Sequence, residues 1–189
     1  LIIDGQTQTI DTAYCNDELM LLLAGIGYEQ SMVEKADRDS KNESGQLAYL
    51  SGFFQAFSEQ KAQTLYVTLD DNQTQEVNTN SFIVANAAPF TTLLAQGGGQ
   101  PDHEDGLLDI NWLLPSDENT TRVLSIAELM FSSITQTHLA ISSHHTNAKK
   151  VTITADEEIK YVLDGEIKTA DTLTITVDPA SLKVINKEL

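Results

Sequence analysis

Cationic side chains are scarce in this chain: 11 lysines and arginines stand against 28 aspartates and glutamates, a formal net charge of −17. Nonspecific nucleic-acid binding works by lysine and arginine displacing counterions from phosphates, so no nucleic-acid partner is expected. The same shortage disfavours broad docking on an anionic membrane. Cys15 is the single cysteine, which excludes an intrachain disulfide and a cysteine-rich zinc site and points to a reducing, cytoplasmic setting. Its sequence neighbours include no base that would lower its pKa, so a reactive thiol is not expected. No apolar run approaches the ~20 residues that cross a bilayer, so no transmembrane segment is expected. There is no G-x-S-x-G elbow, which speaks against a serine hydrolase. No glycine-rich loop is followed by a lysine, which speaks against a Walker-type phosphate site.

What is present fits one soluble globular domain, since 189 residues with 41 % hydrophobic and 21 % charged side chains can bury a sizeable core without staples. The chain opens at Leu1 without a methionine and directly in a strand-like pattern, which implies a piece of a longer protein. Leu19 to Tyr28 is a continuous apolar run interrupted by Gly25 and Gly27. It reads as a buried strand leaving through a tight turn, with the start of a helix as the alternative. Glu29 to Arg38 is compatible with a helix. Between Glu43 and Phe57, the residues Leu47, Leu50, Phe54 and Phe57 fall on one helical face, and Val123, Ile126, Ala127 and Met130 trace another.

Strand signals dominate the remainder. Thr64 to Leu69 and Gln73 to Val77 flank the turn residues Asp70-Asp71-Asn72 and predict a hairpin. Ser81 to Ala87 is the next strand, and Leu108, Ile110 and Trp112 alternate with Asp109 and Asn111 in the period of a half-buried strand. Four further apolar stretches follow after Val151, with Asp164-Gly165 between two of them as a hairpin signal. The expected fold class is α+β, mainly antiparallel β: a sandwich-like domain covered by two or three helices.

Three places could carry chemistry. Asp102-His103-Glu104-Asp105 packs carboxylates into a tight loop, suited to a hard cation such as Mg²⁺, though solvated turn residues would look the same. Asp164-Gly165-Glu166 presents carboxylates at a sharp reversal, where one could act as a general base, though an ordinary hairpin would read alike. Gly97-Gly98-Gly99 offers backbone amides, but a closely packed loop is the plainer reading. His144-His145, in a Ser/Thr/Asn-rich stretch, reads as a surface loop.

Several of these segments are similar to one family. AGIGYEQSMVEKAD, with Tyr28-Glu29, resembles a Gly-Phe-Asp-Ala segment, and GQLAYLSGFFQAF, with Gly45 and Tyr49, resembles the Gly-x-x-x-Tyr helix after it. VANAAPF and the glycine triplet resemble Asn-Gly and GGG segments, with Ala87 where glycine is usual. EDGLLDINWL and YVLDGE resemble an Asp-Gly-x-Leu-Asp strand and an Asp-Gly-Glu turn. Together they resemble the second domain of the bacterial diacylglycerol kinase and lipid kinase family.

The resemblance implies a part of an ATP-dependent lipid kinase acting on a hydroxyl of diacylglycerol or a related lipid. It implies Glu166 as proton acceptor, supported by the Asp164-Gly165 turn, and a structural Mg²⁺ held by the Asp105 side chain and the carbonyls of Asp102 and Leu107. ATP would be bound mainly by an N-terminal domain carrying a Gly-Gly-Asp-Gly-Thr loop. That loop is absent from this chain, so this fragment alone is expected to be inactive. The implied partners are a lipid with a free hydroxyl, the chain's own N-terminal nucleotide domain and a possible second copy. The implied setting is cytoplasmic lipid metabolism, touching the membrane only peripherally. Two other readings remain open: a noncatalytic β-sandwich module that binds a ligand or partner, and a degenerate, regulatory kinase relative.

Overall fold

The computed structural model describes residues 6–27, 62–87, 102–113 and 143–186, and every regular element among them is a β-strand. These are β1 (Gln6–Cys15), β2 (Glu18–Met20), β3 (Leu23–Gly27), β4 (Gln63–Leu69) and β5 (Gln75–Thr79). They continue with β6 (Ser81–Ala85), β7 (Leu108–Leu113), β8 (Ser143–Ala148), β9 (Lys150–Leu163) and β10 (Glu166–Asn186). The helices expected at 29–38, 43–57 and 123–130 lie outside the described residues.

All pairings are antiparallel, in the order β2-β1-β10-β9-β3-β6-β7-β8, with the β4–β5 hairpin set off to one side. The branch point is β9. Its first half, Val151 to Ala155, pairs with β4, and its last residues, Tyr161 to Leu163, pair with β3. Between the two the register against β10 slips, from Thr154↔Thr172 to Ile159↔Ala170. A slip of this kind bends a strand sharply and raises its twist. The residues left over, Asp156, Glu157 and Glu158, are exposed. The bend lets two branches of one hydrogen-bonded sheet face each other, which produces a sandwich-like domain.

The core confirms this. One cluster combines Leu65 and Val67 of β4 with Phe82 and Val84 of β6, Ile110 of β7, Ile153 of β9 and Leu173 and Ile175 of β10. Each side chain of that size contributes about 1.5–3 kcal/mol when withdrawn from water. Alternation does the sorting: Leu173, Ile175 and Val177 are buried while Thr176 and Asp178 point outward. The expected hairpin over Asp70-Asp71 is present, with both residues at positive φ, 48° and 57°. Asp70 also accepts the backbone amides of Lys149 and Lys150 at 2.8 and 2.9 Å.

Three expectations need correction. The apolar run Leu19 to Tyr28 does not form one strand; it is cut at Leu21-Leu22 into β2 and β3, because a carboxylate from elsewhere in the chain takes the amides at the cut. The four apolar stretches after Val151 are two long strands, since the bends within them do not break the pairing with their neighbours. His144-His145 lies in strand β8, paired with Trp112 and Asn111 of β7, and not in a surface loop. Polar side chains are accepted there because β8 closes the path of paired strands.

Candidate site at the two Asp-Gly turns

The turn Asp164-Gly165 joins β9 to β10, and both residues have positive φ, 46° and 93°. A two-residue hairpin of this hand requires that conformation, which glycine adopts freely and aspartate tolerates. The Asp164 carboxylate does more than shape the turn. It accepts the backbone amides of Leu21, Leu22 and Leu23 at 2.7, 2.8 and 2.9 Å, so the cut between β2 and β3 is clamped against it. Glu166 follows at the start of β10 with its side chain 79 % exposed. Lys168 reaches it at 3.6 Å and is also bonded to Glu18. That bond to Glu18 and the negative charge of Glu166 raise the Lys168 pKa.

The second turn is the loop 102–107. Asp102 caps its own loop by accepting the Glu104 amide at 3.0 Å, and Asp105 accepts the Leu107 amide at 2.9 Å. Gly106 sits at a φ of 69°. Its amide is donated to Asp11, a residue of β1 that sequence reasoning missed. Asp11 is 2 % exposed. Its two carboxylate oxygens accept the amides of Gly106 and Ala180, each at 2.7 Å, and its own amide is donated to the His103 carbonyl at 2.7 Å. The signal was weak: a lone acid among Thr, Gln and Ala in TQTIDTAYC, a stretch without clean alternation.

Asn86 connects the two turns. Its Nδ2 donates to the Asp11 carbonyl at 3.1 Å and to the Leu21 carbonyl at 3.0 Å. Its backbone amide and that of Ala87 go to the Leu22 carbonyl. A hydrogen-bonded chain therefore runs from Gly106 through Asp11, Asn86 and Leu21 to Asp164. The Oδ1 of Asn86 is buried and has no hydrogen-bond partner, an arrangement that is costly in a protein interior.

The acidic loop suits a hard cation. The pKa of Asp105 is raised, first by burial and then by the negative charges of Asp102, Asp109 and Asp11, while its bond from Leu107 opposes the shift. Among the described residues no three His, Cys, Asp or Glu side chains form a metal cage. A cation here would therefore rest on Asp105, on main-chain carbonyls and on water, the donor set that Mg²⁺ takes. Asp102 and Asp105 each engage one carboxylate oxygen with a backbone amide two residues on.

A separate polar group lies on β7 and β8. The Oδ1 of Asp109 sits 2.9 Å from the His145 ring and accepts from Asn147 at 3.0 Å. The buried amide of Asn111 has neither nitrogen nor oxygen partnered. Sequence reasoning missed this cluster, because Asp109 and Asn111 alternate with Leu108 and Ile110 and so read as a solvated strand face. Both are 5 % exposed.

The family model described as "YegS C-terminal NAD kinase beta sandwich-like domain" matches residues 23–186. An uncharacterized protein of Synechocystis is 36 % identical over 182 residues, covering 95 % of this chain and 41 % of its own length. A Staphylococcus aureus JH9 protein provisionally named a lipid kinase is 22 % identical and covers 97 % of this chain and 59 % of its own. A crystal structure from Bacillus anthracis Sterne, provisionally identified as a diacylglycerol kinase, has the same fold. Its TM-score is 0.67 at 18 % identity, over 96 % of this chain and 57 % of that one. This chain thus spans about half the length of the curated relatives it matches. Among the described residues, no helix is long and apolar enough to cross a membrane.

Proposed function

Since the chain belongs to the family of the YegS C-terminal NAD kinase beta sandwich-like domain, we propose that it is the acceptor-side domain of an ATP-dependent lipid kinase. The observation that supports this best is the hydrogen-bonded chain between the two Asp-Gly turns, which ties Asp164, two residues before the proposed base, to Gly106, the residue after Asp105 of the proposed cation loop.

In this reading Glu166 takes the proton of a lipid hydroxyl, of diacylglycerol or a relative, while that oxygen attacks the γ-phosphorus of ATP, the bond to the β,γ-bridging oxygen breaks and ADP leaves. The Asp164-Gly165 reversal keeps Glu166 at the tip of the hairpin, and Lys168 keeps a cation beside it. Asp105, with the carbonyls of Asp102 and Leu107, holds a structural Mg²⁺ that stiffens the other turn. ATP supplies the phosphoryl group and is bound by an N-terminal nucleotide domain that these residues do not include. Phosphoryl transfer depends mainly on positioning and charge neutralisation, so residues that carry a base without a phosphate cradle do not turn over alone. The setting is cytoplasmic, with peripheral contact at the membrane.

The test is Glu166→Gln in the full-length protein. Turnover of diacylglycerol should fall at least ~100-fold, the low end of what a general base supplies, with an unchanged melting temperature. Activity within about twofold of the unmutated enzyme would reject the role, since a lost general base costs far more.

A further inference from the structure

Asp109 and Asn111, two positions apart on β7, lie on the same face of the sheet, and their partners across the β7–β8 pairing are Asn147 and His145. On the other side β6 places the buried Ala85 and Ile83 opposite Asp109 and Asn111. Within this polar group the bonding is uneven. The Oδ1 of Asp109 meets both the His145 Nε2 at 2.9 Å and the Asn147 amide at 3.0 Å. Asn111 is 5 % exposed, yet neither its Oδ1 nor its Nδ2 has a partner. A buried amide left unsatisfied at both ends is destabilising, whereas a leucine of similar size would not be. Its presence beside an acid and an imidazole points to a group that the fold itself does not supply.

We infer that Asp109, His145 and Asn111 form a binding site for a transition-metal dication of the Zn²⁺ class, held by the Asp109 carboxylate, the His145 Nε2 and the Asn111 Oδ1. The imidazole selects the metal: Mg²⁺ and Ca²⁺ take oxygen donors, whereas Zn²⁺ accepts nitrogen and oxygen together. In a Zn²⁺ tetrahedron with bonds of about 2.0–2.1 Å, neighbouring donors stand about 3.3 Å apart. Oδ1 and Nε2 are at 2.9 Å, so the pair opens by only a few tenths of an ångström when two metal bonds replace its hydrogen bond. Asn147, bonded to the same carboxylate, orients it for the ion. Among the described residues no lysine or arginine pairs with Asp109, and its negative charge is felt as far as Asp105, so these surroundings favour a cation. The His145 side chain remains 18 % exposed and gives the ion its way in. The third donor is a side-chain amide, so the site is not built from His, Cys, Asp and Glu alone. It stands apart from the Asp105 loop, is independent of the kinase reading, and would fasten β8, the last strand of the path, to β7.

The experiment is calorimetric titration of the full-length protein with ZnCl₂, after stripping with EDTA and return to millimolar Mg²⁺, which keeps the Asp105 loop out of the measurement. The unmutated protein should bind Zn²⁺, and His145→Gln should weaken that binding at least ~10-fold, the low end of what even an orienting neighbour of a metal contributes. Asn111→Leu should lose at least ~10-fold as well, while its metal-free melting temperature rises because two unsatisfied buried atoms are gone. This variant keeps the test intact should His145→Gln misfold, and a merely structural asparagine would not trade stability for zinc in this way. His144→Gln, next in sequence but turned to the opposite face against Trp112, should titrate like the unmutated protein. The inference is overturned if the unmutated protein takes up no Zn²⁺, or if either His145→Gln or Asn111→Leu binds it undiminished. Zn²⁺ uptake that disappears in His103→Gln or Asp105→Asn assigns the ion to the acidic loop, with the same consequence.

Discussion

Asp11 accepts the Gly106 amide at 2.7 Å, across 95 positions of sequence. This bond fixes the acidic loop to β1, and the partner oxygen fixes the bend at Ala180 to the same carboxylate. Charge-assisted bonds of this kind are about twice as strong as neutral ones, and a buried amide left unpaired costs about 1–3 kcal/mol. Asp11→Asn turns one acceptor into a donor facing a donor. It should lower stability by about 2–3 kcal/mol, or roughly 5–10 °C in melting temperature at this chain length. A fall below ~2 °C in a thermal melt would show that the anchor contributes little.

Asp105 shares its end of the molecule with the charges of Asp102, Asp109 and Asp11, and this repulsion, added to burial, disfavours its ionised form. Without a divalent cation, Asp105→Asn should therefore raise the melting temperature slightly. With millimolar Mg²⁺ the unmutated full-length protein should gain stability and the variant should not, because binding to the native state alone stabilises by mass action. Identical Mg²⁺ responses in the two proteins would remove Asp105 as a ligand.

Two glycines with similar backbone angles should respond very differently to alanine. At Gly27, φ 97°, an added Cβ would lie 2.1 Å from the Asn80 carbonyl oxygen, a backbone atom that cannot swing aside. Gly27→Ala should yield little soluble protein. At Gly165, φ 93°, the added Cβ meets nothing within 4 Å. Only the left-handed strain remains, and Gly165→Ala should cost about 1–2 kcal/mol. Denaturant melts of both variants decide the matter, and equal losses would contradict the structure.

Cys15 is 1 % exposed. Burial pushes its thiol up to about 11, against a lowering contribution from its hydrogen bond with Tyr161. At pH 8 about one molecule in a thousand then carries the nucleophilic thiolate. Iodoacetamide should leave the native protein unmodified for hours and label it fully in denaturant, as read by intact mass. Rapid native labelling would mean that the β1 region opens readily.

The strands were legible where alternation was strong or turn chemistry was local. Leu108, Ile110 and Trp112 announced β7, and Asp70-Asp71 and Asp164-Gly165 announced their hairpins, because a positive φ at a two-residue turn is a local demand met by local residues. β1 had no such signal, and its buried acid was invisible. The polar group of Asp109, Asn111 and His145 was hidden for a related reason: alternation reports that two faces differ and not that the polar face lies open to water.

Composition and short-range pattern determined the antiparallel β character, the acidity, the isolated thiol and the two Asp-Gly turns, since each depends on residue types or on neighbours a few positions apart. Tertiary structure alone decided that β9 forks the sheet, that Asp164 cuts an apolar run into two strands and leaves leucines outside, and that Asn86 and Asp11 join the turns. These depend on hydrogen bonds between residues from 65 to 143 positions apart. Backbone amides look alike in every sequence, so only the folded chain selects which carboxylate each of them meets.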